Sequence, residues 1–344
     1  MAIKRYVADK DTTITNAYKA NLTTRGVSGN MGQSDILEVF HIYGQASSAS
    51  SENARILIGF PTTDIATDRS NGDIPASGSV SFYLRMFNAE HSQPTPKDFT
   101  LTASAVSTAW QEGLGLDMEN YSDIDAANWI TASDGPTVKW STQGGDYYVD
   151  NSSSFQQTFD TGFEDMEIDI TPLVEQWVNS AGNILGSKSN NGLGIFLTAS
   201  QEDAEVSYYT KMFFARQSQY YFKRPYIEAR WDSSTADDRG NFYLSSSLVP
   251  AADNLMTLYL YNIVKGQLTN IPAVGTGTIN VSIYSGSATN ATPSGSQLLL
   301  PVGGDVAATG DINITGGFSE TGIYTASFAY ASSSITTIFD VWHT

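Results

Sequence analysis

The sequence predicts an all-β protein: a jelly-roll-like β-sandwich carrying one short helix, followed by a second, smaller immunoglobulin-like β-sandwich. Three observations carry this expectation. Short runs of alternating apolar and polar residues recur along the chain, bounded by Gly, Ser, Asn and Asp. A single stretch has a clear helical stripe. Charge also thins out sharply near residue 240: residues 241–344 hold one basic residue, Lys265, and five acids, Asp253, Asp305, Asp311, Glu320 and Asp340.

The 344-residue length fits two domains. The expected boundaries are 1–232 for the first sandwich, 233–240 (SSTADDRG) for a polar linker, and 241–344 for the second sandwich. In the first unit, residues 6–14 read as the opening strand. Residues 35–43 (DILEVFHIY) and 55–60 (RILIGF) follow, joined by a mobile polar turn, GQASSASSENA. Residues 80–87 alternate cleanly, with Val80, Phe82, Leu84 and Met86 on one face and Ser81, Tyr83 and Arg85 on the other, the mark of a half-buried antiparallel strand. Residues 99–106 repeat the pattern.

Ile170, Leu173, Val174, Trp177 and Val178 then fall at i, i+3, i+4, i+7 and i+8 and define the helix. Thr171 is the expected N-cap, Pro172 the N1 residue and Gly182 the C′ residue, which gives about three turns. A lone amphipathic helix among strands needs a sheet to lie against, so it is expected to plug one end of the sandwich. Residues 166–170, 194–198, 208–214 and 225–231 complete the strands of this unit. In the second unit the strands are expected at 258–264, 278–284, 312–314, 324–330 and 336–342, with GSATNATPSGSQ as a long hairpin or crossover.

Net charge is −18 and no Lys/Arg-rich run occurs, which argues against duplex nucleic acid or an anionic membrane as partner. No apolar run is long enough to span a bilayer and no basic-then-apolar leader opens the sequence, so a soluble protein made in a cytoplasm is expected. The absence of cysteine removes disulfides, a thiolate nucleophile and Cys-based zinc sites. The charge-poor second unit fits either a surface covered by neighbouring subunits or a Ser/Thr-coated β-domain.

Several residue groups are candidates for chemistry. Glu112, Asp117, Glu119, Asp123 and Asp125 cluster in sequence and could serve a glycosidase or a calcium ion, although the EF-hand register fails after Asp123 and Asp125. The competing reading is a solvated acidic loop. Asp9 and Asp11 flank the first strand and Asp232 closes the last. If those strands are neighbours, the three acids could meet around a structural Ca²⁺, the one cofactor the sequence leaves room for. His41, His91 and His343 lie on separate segments without metal-ligand spacing. No nucleophile elbow, P-loop or dinucleotide fingerprint occurs, so no catalytic, cofactor-binding or metal residue is assigned and no enzyme is expected. The aromatic cluster Tyr208-Tyr209, Phe213-Phe214 and Tyr220-Tyr221-Phe222 is dense enough that some rings must point away from a core, which suits an interface or sugar stacking.

Several stretches of the first unit occur in an order that resembles the DNRLRE-type domain, which is grouped with an alginate-binding family of carbohydrate-binding modules. They are RYVADKDTTI, RILIGF, SVSFYLRMF, TLTASAVSTAWQEG, NWITASDG, KWSTQGGDYY, DITPLVEQWVN paired with NNGLGIFL, and RPYIEARW. Such domains are β-sandwiches that bind polysaccharide or act as structural modules, and they are similar to domains in bacteriophage virion proteins. The resemblance spans two-thirds of the chain and brings no catalytic domain. It implies a non-enzymatic virion structural protein that decorates the head, neck or tail, assembled in the host cytoplasm with other virion proteins as a homo-oligomer. The alternative is a carbohydrate-binding adsorption protein that recognises host or environmental polysaccharide.

Overall fold

The alternating runs form strands, and the strands pair antiparallel throughout. The structure, a computed structural model, describes residues 2–119, 126–133, 138–179, 184–233, 237–286, 293, 295–335 and 337–344. The chain divides into two units, Met1–Ser233 and Ser234–Thr344, and the fold is all-β and sandwich-like.

The first unit contains strands β1 (Ala2–Val7), β2 (Lys10–Thr15), β3 (Ile36–Tyr43), β4 (Ser51–Gly59), β5 (Val80–Met86), β6 (Phe99–Ala105), β7 (Ser154–Phe159), β8 (Met166–Asp169), β9 (Leu193–Leu197), β10 (Tyr208–Phe214) and β11 (Tyr226–Trp231). One sheet has the order β1-β11-β5-β8. The other runs β10-β3-β4-β9-β6-β7, with β2 added against β4. Their inner faces share one core: Tyr6, Phe82, Leu84 and Ile227 from the first sheet meet Leu37, Val39, Ile56, Ile58, Leu101, Ile195 and Phe213 from the second. This period-two placement is what the alternation at residues 80–87 demands.

Local differences from the sequence expectations have identifiable causes. The opening strand is two strands in different sheets. Between them the Ala8 N–H donates to Pro225 O and the Asp9 N–H to Gly59 O, so the chain steps across the sandwich at that point. Strand β4 starts inside the expected mobile turn, because residues 51–54 pair with β3. Among the described residues the unit has three α-helices, not one: α1 (Thr62–Asn71), α2 (Thr171–Val178) and α3 (Ala199–Glu202). Helix α2 is the expected one and it does face the core, through Leu173, Val174 and Trp177. Its N-cap is Ile170, not Thr171. The Thr171 hydroxyl is taken by the Phe82 N–H (2.8 Å), and Asp169 accepts the Thr171 N–H (2.9 Å) instead. Asn179, in the left-handed conformation at φ 46°, ends the helix, which makes it shorter than expected. Gly182 lies outside the described residues.

Helix α1 is polar nearly all round and buries one apolar side chain, Ile65. Its anchor is electrostatic. Arg69 donates from both Nη atoms to Glu175 of α2 (2.7 Å each), with both side chains only 8% exposed.

In the second unit, β12 (Met256–Tyr261), β13 (Ile263–Val264), β14 (Gln267–Leu268), β15 (Thr278–Ser285), β16 (Leu300–Val302), β17 (Asp305–Asp311), β18 (Asn313–Glu320), β19 (Ile323–Phe328) and β20 (Ile338–His343) make one five-stranded sheet, β12-β19-β18-β15-β20, and two ribbons, β13-β14 and β16-β17. The β16-β17 ribbon supplies Leu300 to a core formed with Met256, Leu258, Val281, Ile283 and Phe328. The stretch 286–297, expected as a hairpin or crossover, lies largely outside the described residues.

Residues 237–240, assigned to the linker from the sequence, belong to this unit. Asp238 accepts the Thr257 N–H (2.7 Å), Asp237 accepts the Tyr259 N–H (3.1 Å), and Arg239 donates to Tyr259 O (3.2 Å). The edge of β12 is thereby capped by side chains. The same Arg239 grips Asp340 of β20 from Nε (3.1 Å) and Nη2 (2.8 Å). The first and last strands of the sheet order are therefore bridged by one guanidinium, which curls the sheet around its core.

Removing one member of the Arg69–Glu175 pair strands a buried charge. Arg69→Met is expected to destabilise the first unit by about 3–5 kcal/mol, whereas the double change Arg69→Met/Glu175→Met is expected to cost far less. Urea denaturation of the three proteins checks this.

Candidate functional site

The outer face of the larger sheet in the first unit is half covered and half open, and the boundary between the halves forms a trough. The cover is the long segment between β6 and β7. It packs its own satellite core of Val106, Trp110, Ala127, Trp129, Ala132 and Trp140 on Ile14 of β2 and Leu57 of β4. Polar pins hold it there. Trp110 Nε1 donates to Asn191 O (2.7 Å), and within the cover Trp140 Nε1 donates to Asn128 O (2.8 Å). Buried Asn30 uses both amide hydrogens, on Glu112 O and Ala127 O (2.7 Å each), and accepts the N–H groups of Gly32 and Gly115. Gly115 approaches so closely that a Cβ would fall 1.8 Å from Asn30 O, so no other residue fits.

The open half is hydroxyl-rich. Thr100, Thr102 and Ser104 of β6 stand opposite Thr158, Gln156 and Ser154 of β7. The rows are joined across the strands at 3.1 Å (Thr100–Thr158), 3.3 Å (Gln156–Thr102) and 2.6 Å (Ser104–Ser154). Where this half meets the cover, a trough of about 350 Å³ is lined by Arg55, Thr102, Ser104, Tyr147, Phe196 and Glu202. Arg55 is its fixed point. Nε and Nη2 fork onto the two oxygens of Glu202 (2.9 and 2.5 Å), and Nη1 donates to Gly144 O (3.1 Å). Its guanidinium sits among the rings of Trp129, Tyr147 and Phe196 at 5.2, 5.8 and 5.1 Å.

Tyr147 and Phe196 touch at 4.7 Å between ring centroids. A Cβ on Gly194 would lie 2.1 Å from the Tyr147 ring, so the glycine makes the space in which that ring lies flat on β9. Burial pushes the Tyr147 phenol well above its ordinary range, so it acts as a neutral donor, to Gly144 O at 2.7 Å. Thr102 and Ser104 are themselves buried, so the trough offers a ligand the half-buried Tyr147 and Phe196 rings and the polar edge at Ser154, a mix that suits a ligand apolar on its faces and polar at its edges, as a sugar ring is.

The sequence candidates disperse. Glu112 is forked by Arg216 (Nε 2.6 Å, Nη2 2.5 Å) and accepts the Asp11 N–H (2.7 Å). Asp117 accepts the Glu119 N–H (2.9 Å), and Glu119 accepts the Ala20 N–H (2.9 Å). These carboxylates tie loops together at separate points. Asp123 and Asp125 lie outside the described residues. Asp9, Asp11 and Asp232 do not meet, although β1 and β11 are neighbours as expected. The pairing is antiparallel with Ala2 opposite Trp231 and Val7 opposite Tyr226, which puts Asp232 at one end of β1 and Asp9 beyond the other. Among the described residues, no three His, Cys, Asp or Glu side chains gather as a metal-binding group.

His41 is fully buried between Asn53 Oδ1 (2.7 Å) and Ala204 O (2.8 Å). His343, in the second unit, contacts Ser282 Oγ at 2.8 Å. That Ser–His contact is not arranged for nucleophilic attack: Ser282 is 3% exposed and its hydroxyl also faces Asn313 Oδ1 at 2.8 Å. Of the aromatic cluster, Phe213 belongs to the core, while Tyr220, Tyr221 and Phe222 stand on the surface, 54%, 59% and 79% exposed. The trough itself was hidden from sequence, because its residues come from five separated segments. The one local signal was an arginine in the otherwise apolar run RILIGF.

No protein-family model matches this sequence, and no curated protein matches it.

Asp11 supplies a pH test of the Glu112–Arg216 cluster. Burial, opposed by the Arg216 N–H that Asp11 accepts at 2.6 Å, raises its carboxyl to about 7. The fold thus favours the protonated form. That contribution is complete below the unfolded value of about 4 and is lost as pH rises through about 7. Asp11→Asn is expected to be more stable than the parent by on the order of 2–3 kcal/mol at about pH 8, and nearly equal at about pH 4. Paired thermal melts across that range read it out.

Proposed function

We propose that this protein is a non-enzymatic structural subunit of a bacteriophage particle, which assembles in the host cytoplasm as a homo-oligomer with other virion proteins through its β-sandwich units. The observation that carries this reading is the exposed aromatic turn of the first unit. Tyr220 packs edge-on to Phe214 (5.5 Å between centroids) and Tyr221 edge-on to Phe222 (5.6 Å). Lys223 lies over Phe214 (4.8 Å) and Arg224 over Tyr221 (5.4 Å). Rings held rigid and facing water form an anchor that loses little freedom on binding. The ordered resemblance of the first unit to DNRLRE-type domains supports the same reading. So does the use of Glu112, Glu175 and Glu202 as structural partners, each forked by an arginine.

A second reading, a carbohydrate-binding adsorption protein, is favoured by the trough. Its rings, hydroxyl row and pre-ordered Arg55 are the elements a polysaccharide site uses, and the docking and binding roles are compatible in one subunit.

Light scattering on the purified chain tests the first reading: a defined oligomer is expected, and Tyr221→Ser/Phe222→Ser is expected to shift it to monomer with unchanged melting temperature. A parent that stays monomeric at all accessible concentrations overturns it. For the second reading, saturable binding in a polysaccharide panel is expected to weaken at least tenfold, about 1.4 kcal/mol, in Phe196→Ala. A flat response of the parent to the whole panel removes that reading.

A further inference from the structure

One buried cluster lies apart from both the trough and the aromatic turn, at the corner where the two sheets of the first unit meet. The corner is fixed by backbone pairing. The Phe214 N–H donates to Phe87 O (3.1 Å) and the Ala89 N–H to Met212 O (3.0 Å), so the chain leaving β5 runs beside β10. Within it Lys211 is 1% exposed. Its Nζ has three polar neighbours: Asn88 Oδ1 at 2.6 Å, Gly162 O at 2.8 Å and Glu164 O at 2.8 Å. The rings of Phe159 and Phe213 close around it at 5.1 and 4.8 Å. Asp165 holds Asn88 by accepting its backbone N–H at 2.9 Å. Glu164 Oε1 accepts the N–H and hydroxyl of Thr161 (2.7 and 2.8 Å), while its Oε2 is buried without a hydrogen-bond partner.

We propose that Lys211 and Asn88 are joined by an intramolecular isopeptide bond formed by the protein itself. The Lys211 Nζ lone pair attacks Asn88 Cγ, the Nζ–Cγ bond forms, the Cγ–Nδ2 bond breaks, and one ammonia leaves. A neutral amine has two N–H groups and one lone pair. In the resting structure all three oxygens, Asn88 Oδ1 included, accept from Nζ; once the proton shared with Asn88 Oδ1 is lost, the carbonyls of Gly162 and Glu164 hold the two remaining hydrogens and the lone pair is left beside the Asn88 amide. Burial lowers Lys211 to about 8, against the pull of Glu164 and Asp165, so the neutral nucleophile is within reach near neutral pH.

The proton that Nζ sheds as the new bond forms passes to Nδ2, which leaves as ammonia, so no other reactant is consumed. Asn88 also lines a cavity of about 180 Å³ with Glu90, His91, Thr95 and Phe163, an exit for ammonia. Backbone pairing on both sides supplies the orientation that makes an amide reactive toward an amine it would ignore in free solution. The product would tie β10 of one sheet to the end of β5 of the other, across a sequence separation of 123 residues, and so lock the sandwich at that corner.

Intact-mass spectrometry of the denatured full chain tests the bond. The expected mass is below the sequence mass by one ammonia, and a protease digest is expected to contain one branched peptide joining the Asn88 and Lys211 segments. Lys211→Arg is expected at full mass, and Asn88→Asp is expected to lose one water instead. A parent at full sequence mass overturns the proposal. So does an ammonia loss whose digest yields the two segments as separate peptides, since that marks a cyclised asparagine. Both of these outcomes are read from the parent alone, so the bond stays testable even where a variant fails to fold.

Discussion

The fold depends on arginines that each hold one carboxylate across a long stretch of chain. Arg55 reaches Glu202, Arg69 reaches Glu175, Arg216 reaches Glu112, and Arg239 reaches Asp340. In each case the arginine is on one element and the acid on another, so the pair fixes where a loop or helix lies. Hydrophobic burial would hold the same elements with less positional selectivity, since an apolar face tolerates sliding. The chain carries twice as many acids as bases. Its few arginines serve internal joints, and the remaining acids are left to give the surface its negative charge. The smaller sheet of the first unit follows the same pattern on its outer face, where Arg5 pairs with Glu228, Glu228 with Arg230, and Glu167 with both Arg230 and Arg85.

How much of this was legible in the sequence follows from how local each signal is. Strand β5 was readable because its two faces differ in polarity residue by residue, and a sheet with one buried face requires that. Helix α2 was readable because its apolar stripe is its own. Helix α1 was not, because TTDIATDRSN has a single core residue and is stabilised by a partner 106 positions away. The split between β1 and β2 was invisible for a similar reason: residues on both sides of Ala8 and Asp9 have strand character, and only the acceptors Pro225 and Gly59 decide where the chain crosses. Arg55 carried a signal that alternation misassigns. It faces away from the sandwich core, which normally means water, yet the segment between β6 and β7 folds over it.

Lys211 was more legible than its neighbours suggested. It shares parity with Phe213, a core residue, so a strand at 208–214 must turn that lysine inward. Two aromatic rings and three carbonyl-type oxygens then replace the water that a lysine ordinarily keeps. The trough obeys the opposite logic. Its rings are partly exposed because the covering segment stops short, and its shape is set by Gly194, a residue with no side chain. One site of the first unit comes from placing an amine where an apolar group belongs, the other from leaving out a side chain where one would fit.

The strap at residues 237–240 of the second unit has a consequence for the order of events during synthesis. It emerges before any strand of its sheet, yet the carboxylate it grips is 101 positions downstream. Sheet pairing among β12, β15, β18 and β19 can begin as those strands leave the ribosome, but the curl around the core cannot close until Asp340 arrives. The unit thus has a high contact order at the one joint that completes it, and its apolar interior stays accessible to chaperones and to other nascent copies for almost the whole of its translation.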